Sequence, residues 1–171
     1  NGKVAEAKKA VAEARAANPD DKSLILTEAN LYLDTKDYDT YKKLITEILA
    51  QSPNDADLVF NLGVISYNAK NLVEAEKYYK RAIEIKPDYV NAYLNLAILK
   101  LDADKKLFEE IQKLGNSEKD NKRYEVLKKQ REVVFTSALP YLEKASELDG
   151  TNEEVKGTLL SVYRALEMTE K

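Results

Sequence analysis

The side chains that could do chemistry here are carboxylates, tyrosines and a run of cations. Adjacent acids occur at Glu109–Glu110 and Glu153–Glu154. A general acid/base pair needs both carboxyls aimed at one substrate atom, whereas neighbours on a helix face different directions. Neither pair reads as a catalytic dyad. Tyrosine is abundant, at 11, but Tyr32, Tyr79, Tyr93 and Tyr163 fall on apolar helical faces and read as core. Lys122, Arg123, Lys128, Lys129 and Arg131 form a locally basic stretch. Such a stretch could meet phosphate or lipid, or be a solvated helix face with Glu118–Lys122 and Glu125–Lys129 pairs at i, i+4 spacing.

Composition removes most other chemistry. The 171 residues contain no Cys, no His and no Trp. That excludes thiol nucleophiles, disulfides, zinc fingers, histidine bases and Ser-His-Asp triads. With 5 Gly and 4 Pro there is no glycine-rich phosphate loop, and no acidic loop has calcium-site spacing. No cofactor or metal is expected, and no enzyme activity. A net charge of −3 gives no electrostatic case for nucleic acid. Apolar runs fall well short of the ~20 residues of a membrane span, so no membrane insertion is expected. At 44% hydrophobic and 33% charged residues the chain has a globular balance. The opening stretch NGKVAEAKKA lacks the apolar segment of a signal peptide, and lack of Cys fits either redox compartment.

The elements that position these side chains follow from a repeat. Pro19, Pro53 and Pro87 are 34 residues apart, and each closes an apolar-periodic stretch: ARAANP, ILAQSP and AIEIKP. Proline just past a helix end stops propagation, because it lacks the N–H and its ring clashes with the preceding turn. Two helical patterns lie between successive prolines. In the clearest unit one runs over roughly 56–69 with Val59, Leu62, Gly63 and Tyr67, the next over roughly 72–85 with Ala75, Tyr79, Ala82 and Ile85. The short NAKN turn makes them antiparallel neighbours.

The unit ADLVFNLGVISYNAKNLVEAEKYYKRAIEIKPD resembles the tetratricopeptide repeat, a 34-residue helix-turn-helix module. Leu62-Gly63, Ala75, Tyr79, Ala82 and Pro87 fall at the family's alternating small and large places. Gly63 and Ala75 would let the paired helices approach closely, with Tyr79 filling the space left. The unit from Lys22 matches at Ala29 and Tyr32, but Tyr41 and Ile48 stand where the family favours alanine. The family's frequent Trp is Ile25, Val59 and Tyr93 here. The resemblance implies an all-α fold, a right-handed α-solenoid of antiparallel helix pairs. It divides the chain into the second helix of a partial repeat (1–21), repeats at 22–55, 56–89 and 90–152, and the first helix of a further repeat (153–171). Two open half-units read as an excised window of a longer solenoid.

The segment 90–152 exceeds one unit by 29 residues. The surplus lies at about 102–137. Leu107, Phe108, Ile111 and Leu114 keep helical spacing, as do Tyr124, Leu127, Val134 and Tyr141. Both helices of this unit therefore read as lengthened into a hairpin, with Gly115 as stop and Ser117 as N-cap. About 12 extra residues per arm give roughly 18 Å of projection. Pro140 predicts a kink near 136–140 and loss of the bond to Thr136. The alternative is a separate short helix over 104–114.

In the resembled family the first helices line a concave groove. That likeness carries Leu26, Asn30, Leu33 and Asp34 into the groove from the first full unit. Phe60, Asn61, Val64, Tyr67 and Asn68 follow from the second. Asn91, Leu94, Asn95, Ile98, Leu101 and Asp102 follow from the third. Phe60, Val64, Tyr67, Leu94 and Ile98 would make an apolar floor. Asn30, Asn61 and Asn95 would make a row of amides able to satisfy an extended peptide. The rival reading is plain scaffold, these residues being covered by neighbouring helices. Chaperone-binding members of the family hold a C-terminal carboxylate with two Asn and several cations. Asn30 and Asn61 match the amides, but Leu26, Asn91 and Asn95 occupy cationic places, which would leave the carboxylate desolvated and unpaired. The expected function is a non-catalytic scaffold binding a protein or peptide partner. The alternative is an assembly module that homo-oligomerises through its ends or the hairpin.

Overall fold

The computed structural model describes residues 2–166; the last five residues of the expected final helix lie outside it. Among the described residues there are eight helices and no strands: α1 (Gly2–Ala17), α2 (Lys22–Asp34), α3 (Tyr38–Gln51), α4 (Ala56–Asn68), α5 (Leu72–Ile85), α6 (Val90–Ile111), α7 (Glu118–Leu148) and α8 (Glu153–Ala165). The chain divides into two compact units, Asn1–Ile85 and Lys86–Lys171.

The first unit is built from α1 to α5. Aspartates start its helices: Asp21 accepts from the Ser23 N–H at 2.8 Å, Asp37 from Thr40 at 3.1 Å and Asp55 from Leu58 at 3.0 Å. Each supplies an acceptor to the first-turn amides that lack helical partners. The turns inside both helix pairs place one lysine in the left-handed region, Lys36 at φ 59° and Lys70 at φ 63°. These two are 34 residues apart. The core joins Ile25 and Ala29 of α2, Tyr41, Leu44, Ile45 and Ile48 of α3, and Leu58, Leu62 and Ile65 of α4. Tyr41 and Ile48, large at places where alanine is the family's habit, are both buried. Each fully buried Leu or Ile contributes about 1.5–3 kcal/mol relative to exposure.

Two polar clamps cross this unit. Arg15 of α1 donates to Glu28 of α2 and Glu47 of α3, each at 2.6 Å. Glu74 of α5 accepts from Lys42 of α3, from the buried Ser66 hydroxyl of α4 at 2.8 Å, and from Asn71 at 3.1 Å. A shared carboxylate thereby satisfies a hydroxyl that would otherwise be buried unpaired.

In the second unit α6 and α7 are the long pair, at 22 and 31 residues. The position 34 residues beyond Lys70 is Asp104, and it lies inside α6. No turn occurs there, so the chain continues into the outer arm. The alternative of a separate helix over 104–114 does not hold, because α6 is continuous to Ile111. Gly115 is not the stop expected of it. The helix ends earlier, with Gln112 still near helical geometry at φ −64°, and no glycine has positive φ among the described residues. Ser117 does cap α7, in a reciprocal box with Asp120. The helix also runs unbroken through Pro140. Thr136 and Pro140 both lie on exposed positions, where a carbonyl without its helical donor costs least.

The hairpin arms hold a deep apolar side chain and are linked by ion pairs. Leu127 is fully buried. Arg123 pairs with Glu110 at 2.6 Å, and Arg131 with Asp104 at 2.5 Å. Of the expected pairs along α7, Glu118–Lys122 forms at 2.6 Å. Glu125–Lys129 does not form among the described residues; the α7 cations that reach α6 are Arg123 and Arg131. Nearer the root, Leu94 and Ala97 of α6 pack with Phe135, Ala138, Leu142 and Ala145 of α7 and with Val155 and Val162 of α8.

Candidate functional site

In the first unit α2 and α4 carry nine of the residues singled out in the sequence, Asp34 and Asn68 being exposed at their ends. Leu26 and Asn30 are exposed, and Leu33, Phe60, Val64 and Tyr67 are half-buried. Leu26, at 36% exposure, is an aliphatic side chain left open to solvent. Leu33 leans on the core beneath. The Phe60 ring lies 5.6 Å from the Tyr79 ring, tilted by 40°, and the Lys70 ammonium lies 5.4 Å from the Tyr67 ring centre. The Asn61 side chain is exposed but shares a hydrogen bond with the Tyr41 hydroxyl. Burial pushes the Tyr41 phenol up in pKa despite that bond, and burial also lifts Tyr79 to about 12. Neither phenol ionises near neutral pH, so neither is poised as an acid or base.

In the second unit the expected residues part company. Leu94 is not a surface residue. It is 3% exposed, because α7 and α8 both supply side chains to the cluster that encloses it. Ile98 and Leu101 are half-buried against the same cluster. The Asn95 amide turns back on its own helix and donates to the Asn91 carbonyl at 2.9 Å.

The second unit also holds two adjoining cavities. One, of about 350 Å³, is lined by Ile111, Tyr124, Lys128, Arg131, Glu132, Phe135, Ala165 and Leu166. The other, of about 420 Å³, is lined by Leu101, Asp104, Lys105, Arg131, Phe135, Thr158, Ser161, Val162 and Ala165. Arg131 and Phe135 belong to both. The Arg131 guanidinium lies over two rings, 5.1 Å from the Phe108 centroid and 5.3 Å from that of Phe135. Sequence reasoning placed Arg131 in a basic run and missed this arrangement. The available signal was Arg131 one turn before Phe135 on a helix whose partner carries Phe108.

Among the described residues no group of acidic side chains could hold a metal ion, and no helix is long and apolar enough to cross a membrane. Residues 26–90 match the family model of the tetratricopeptide repeat. That stretch carries tetratricopeptide repeats. The chain's fold is that of tetratricopeptide solenoids. A solved protein of Bacteroides ovatus matches with a TM-score of 0.68 at 19% identity, over 99% of this chain and 92% of that one. The first tetratricopeptide domain of Spaghetti (RPAP3), bound to the HSP90 peptide SRMEEVD, matches with a TM-score of 0.61 at 17% identity, over 85% and 93%. The TPR2B domain of yeast Sti1, in a complex with pHsp70, matches at 0.57 and 18% identity, over 87% and 98%. No curated protein sequence matches the chain. Within α4 and α5 the small residues have a direct structural use: Gly63, Ala75 and Ala82 are buried, and the Tyr79 ring that fills the space beside Gly63 is 1% exposed.

Proposed function

We propose that the chain is a non-catalytic protein-interaction scaffold. Its first helices α2 and α4 receive an extended segment or amphipathic helix of a partner. The observation that carries this reading is the open state of Leu26 on a helix whose other apolar face is sealed in the core. Asn30 lies one turn on, and Leu33, Phe60, Val64 and Tyr67 keep part of their apolar surface accessible. Mixed apolar and amide surfaces suit peptide backbones, because burial of side chains supplies affinity and the amides supply hydrogen bonds. In the second unit, Asn95 and Ile98 of α6 offer a surface of the same kind by themselves, whereas Leu94 is buried and Leu101 lines a cavity of that unit.

Two of the structural neighbours are complexes with HSP90 or Hsp70 ligands, which supports a partner that is itself a protein. The chemistry of recognition differs from a carboxylate clamp. Leu26, Asn91 and Asn95 offer no positive charge, so a chain-terminal carboxylate gains no ion pair there.

The test is a crosslinked pull-down from native extract, comparing the wild-type chain with Leu26→Lys and with Phe60→Ala, each checked for unchanged helical circular dichroism. The reading expects a protein partner that both variants lose and that Lys105→Glu retains. A partner held equally by the wild type, Leu26→Lys and Phe60→Ala would refute it.

A further inference from the structure

We infer that the paired cavities at the root of the α6–α7 hairpin form a second docking site, one that takes an acidic segment of a protein partner with an apolar side chain. The floor is apolar: Leu101 of α6, Phe135 of α7 and Val162 of α8 line the larger cavity. At about 420 Å³ it has room for one Leu, Ile or Phe side chain. Two aromatic side chains stay open beside it, Phe108 at 46% and Tyr124 at 44% exposure.

The rim supplies the charge argument. Lys105, Lys128 and Arg131 line the two cavities against Asp104 and Glu132. Asp104 is already committed: it accepts from Arg131 Nε at 2.5 Å and from Nη2 at 2.9 Å. Arg131 Nη1 makes no hydrogen bond among the described residues. Lys105 likewise has no ion pair among them. A guanidinium in contact with two rings, with its fork fixed by a carboxylate, keeps its remaining donor oriented before any ligand arrives. The rim thus favours carboxylates on a chain whose overall charge is negative. Asp104 and Arg131 lie on the lengthened arms, so the site depends on the hairpin, and every residue lining it belongs to the second unit.

A display library of random twelve-residue peptides, selected on the immobilised full chain, tests this. Four proteins are compared: wild type, Lys105→Glu, Ser161→Tyr and Leu26→Lys. Lys105 and Ser161 are exposed, so the first two variants reverse a rim charge and fill the cavity without touching the core. The expected result is a class of peptides with Asp or Glu beside Leu, Ile or Phe. That class falls about tenfold on Lys105→Glu and on Ser161→Tyr, and is unchanged on Leu26→Lys. The inference is overturned if no such class appears, if the class lacks acids, or if it is lost only on Leu26→Lys. It is also overturned if the wild type doubles in mass without peptide and Lys105→Glu alone abolishes the doubling, which assigns the cavity to a second copy.

Discussion

The Tyr79 ring occupies the space in which a β-carbon on Gly63 would sit: such an atom would lie 2.6 Å from both Tyr79 Cδ1 and Cε1. The two helices α4 and α5 approach through that gap, and the ring edge is the filling. Gly63→Ala should gain up to about 1 kcal/mol of helix propensity yet lose more to overpacking. A net destabilisation of about 1–2 kcal/mol is expected, read by urea denaturation. Combining it with Tyr79→Leu should recover part of the loss, because the paired changes share one space. Strict additivity of the two would show that the ring is not the obstacle.

The left-handed lysines predict the opposite sign. Lys36 and Lys70 hold φ values of 59° and 63°, a conformation that costs an L-residue roughly 1 kcal/mol and glycine almost nothing. Lys36→Gly and Lys70→Gly should each raise stability by about 0.5–1 kcal/mol, less the entropy glycine adds to the unfolded chain. Lys70→Val should lower it. Thermal melts of the three variants settle the ordering.

Acid should weaken the first unit through Glu74. The Lys42 ammonium, ahead of the Ser66 hydroxyl, holds its carboxyl below the ordinary value of 4.5. A folded-state pKa lower than the unfolded one gives stability that is complete above the unfolded value and disappears as pH falls through the folded one. The loss should therefore begin below about pH 4.5. Glu74→Gln should cost about 1 kcal/mol at neutral pH and flatten the acid limb between pH 4.5 and the folded value. An unchanged limb would assign acid sensitivity to other carboxylates.

The hairpin should be stable because of Leu127. It is fully buried between arms that are otherwise mostly exposed. Leu127→Ala should cost about 2–4 kcal/mol. The cost should be local, so amides from 104 to 130 exchange faster while those of α3 and α4 do not. Hydrogen exchange with mass spectrometry reads this directly. Uniform acceleration throughout the chain would mean that the arms unfold only with the whole.

The repeat and the all-α fold were legible because they depend on local rules. The proline stops and the Ser117 cap act within a few residues of themselves, and the small residues Gly63, Ala75 and Ala82 repeat a pattern confined to one helix pair. What stayed hidden depends on which faces two helices turn to each other. Leu94 looked like its equivalents Leu26 and Phe60, but only α6 has a partner as long as α7 with α8 also packed beside it. Arg131 read as one more cation in a solvated run until Asp104, Phe108 and Phe135 were seen around it. Gly115 shows the reverse error: it permits a stop, yet α6 ends before it, at Ile111.

The absence of a turn at Asp104 constrains how this protein can change length. A loop would accept insertions of any size. A pair of helices locked by Leu127 and by cross-arm ion pairs would not. One residue added to α6 below Asp104 rotates everything beyond it by about 100°, and would swing Asp104 away from Arg131. Tolerated insertions and deletions should therefore arrive as whole turns, about seven residues in one arm matched by about seven in the other. In a lineage of such chains the hairpin should lengthen or shorten in steps, while the 34-residue spacing of the neighbouring units stays untouched.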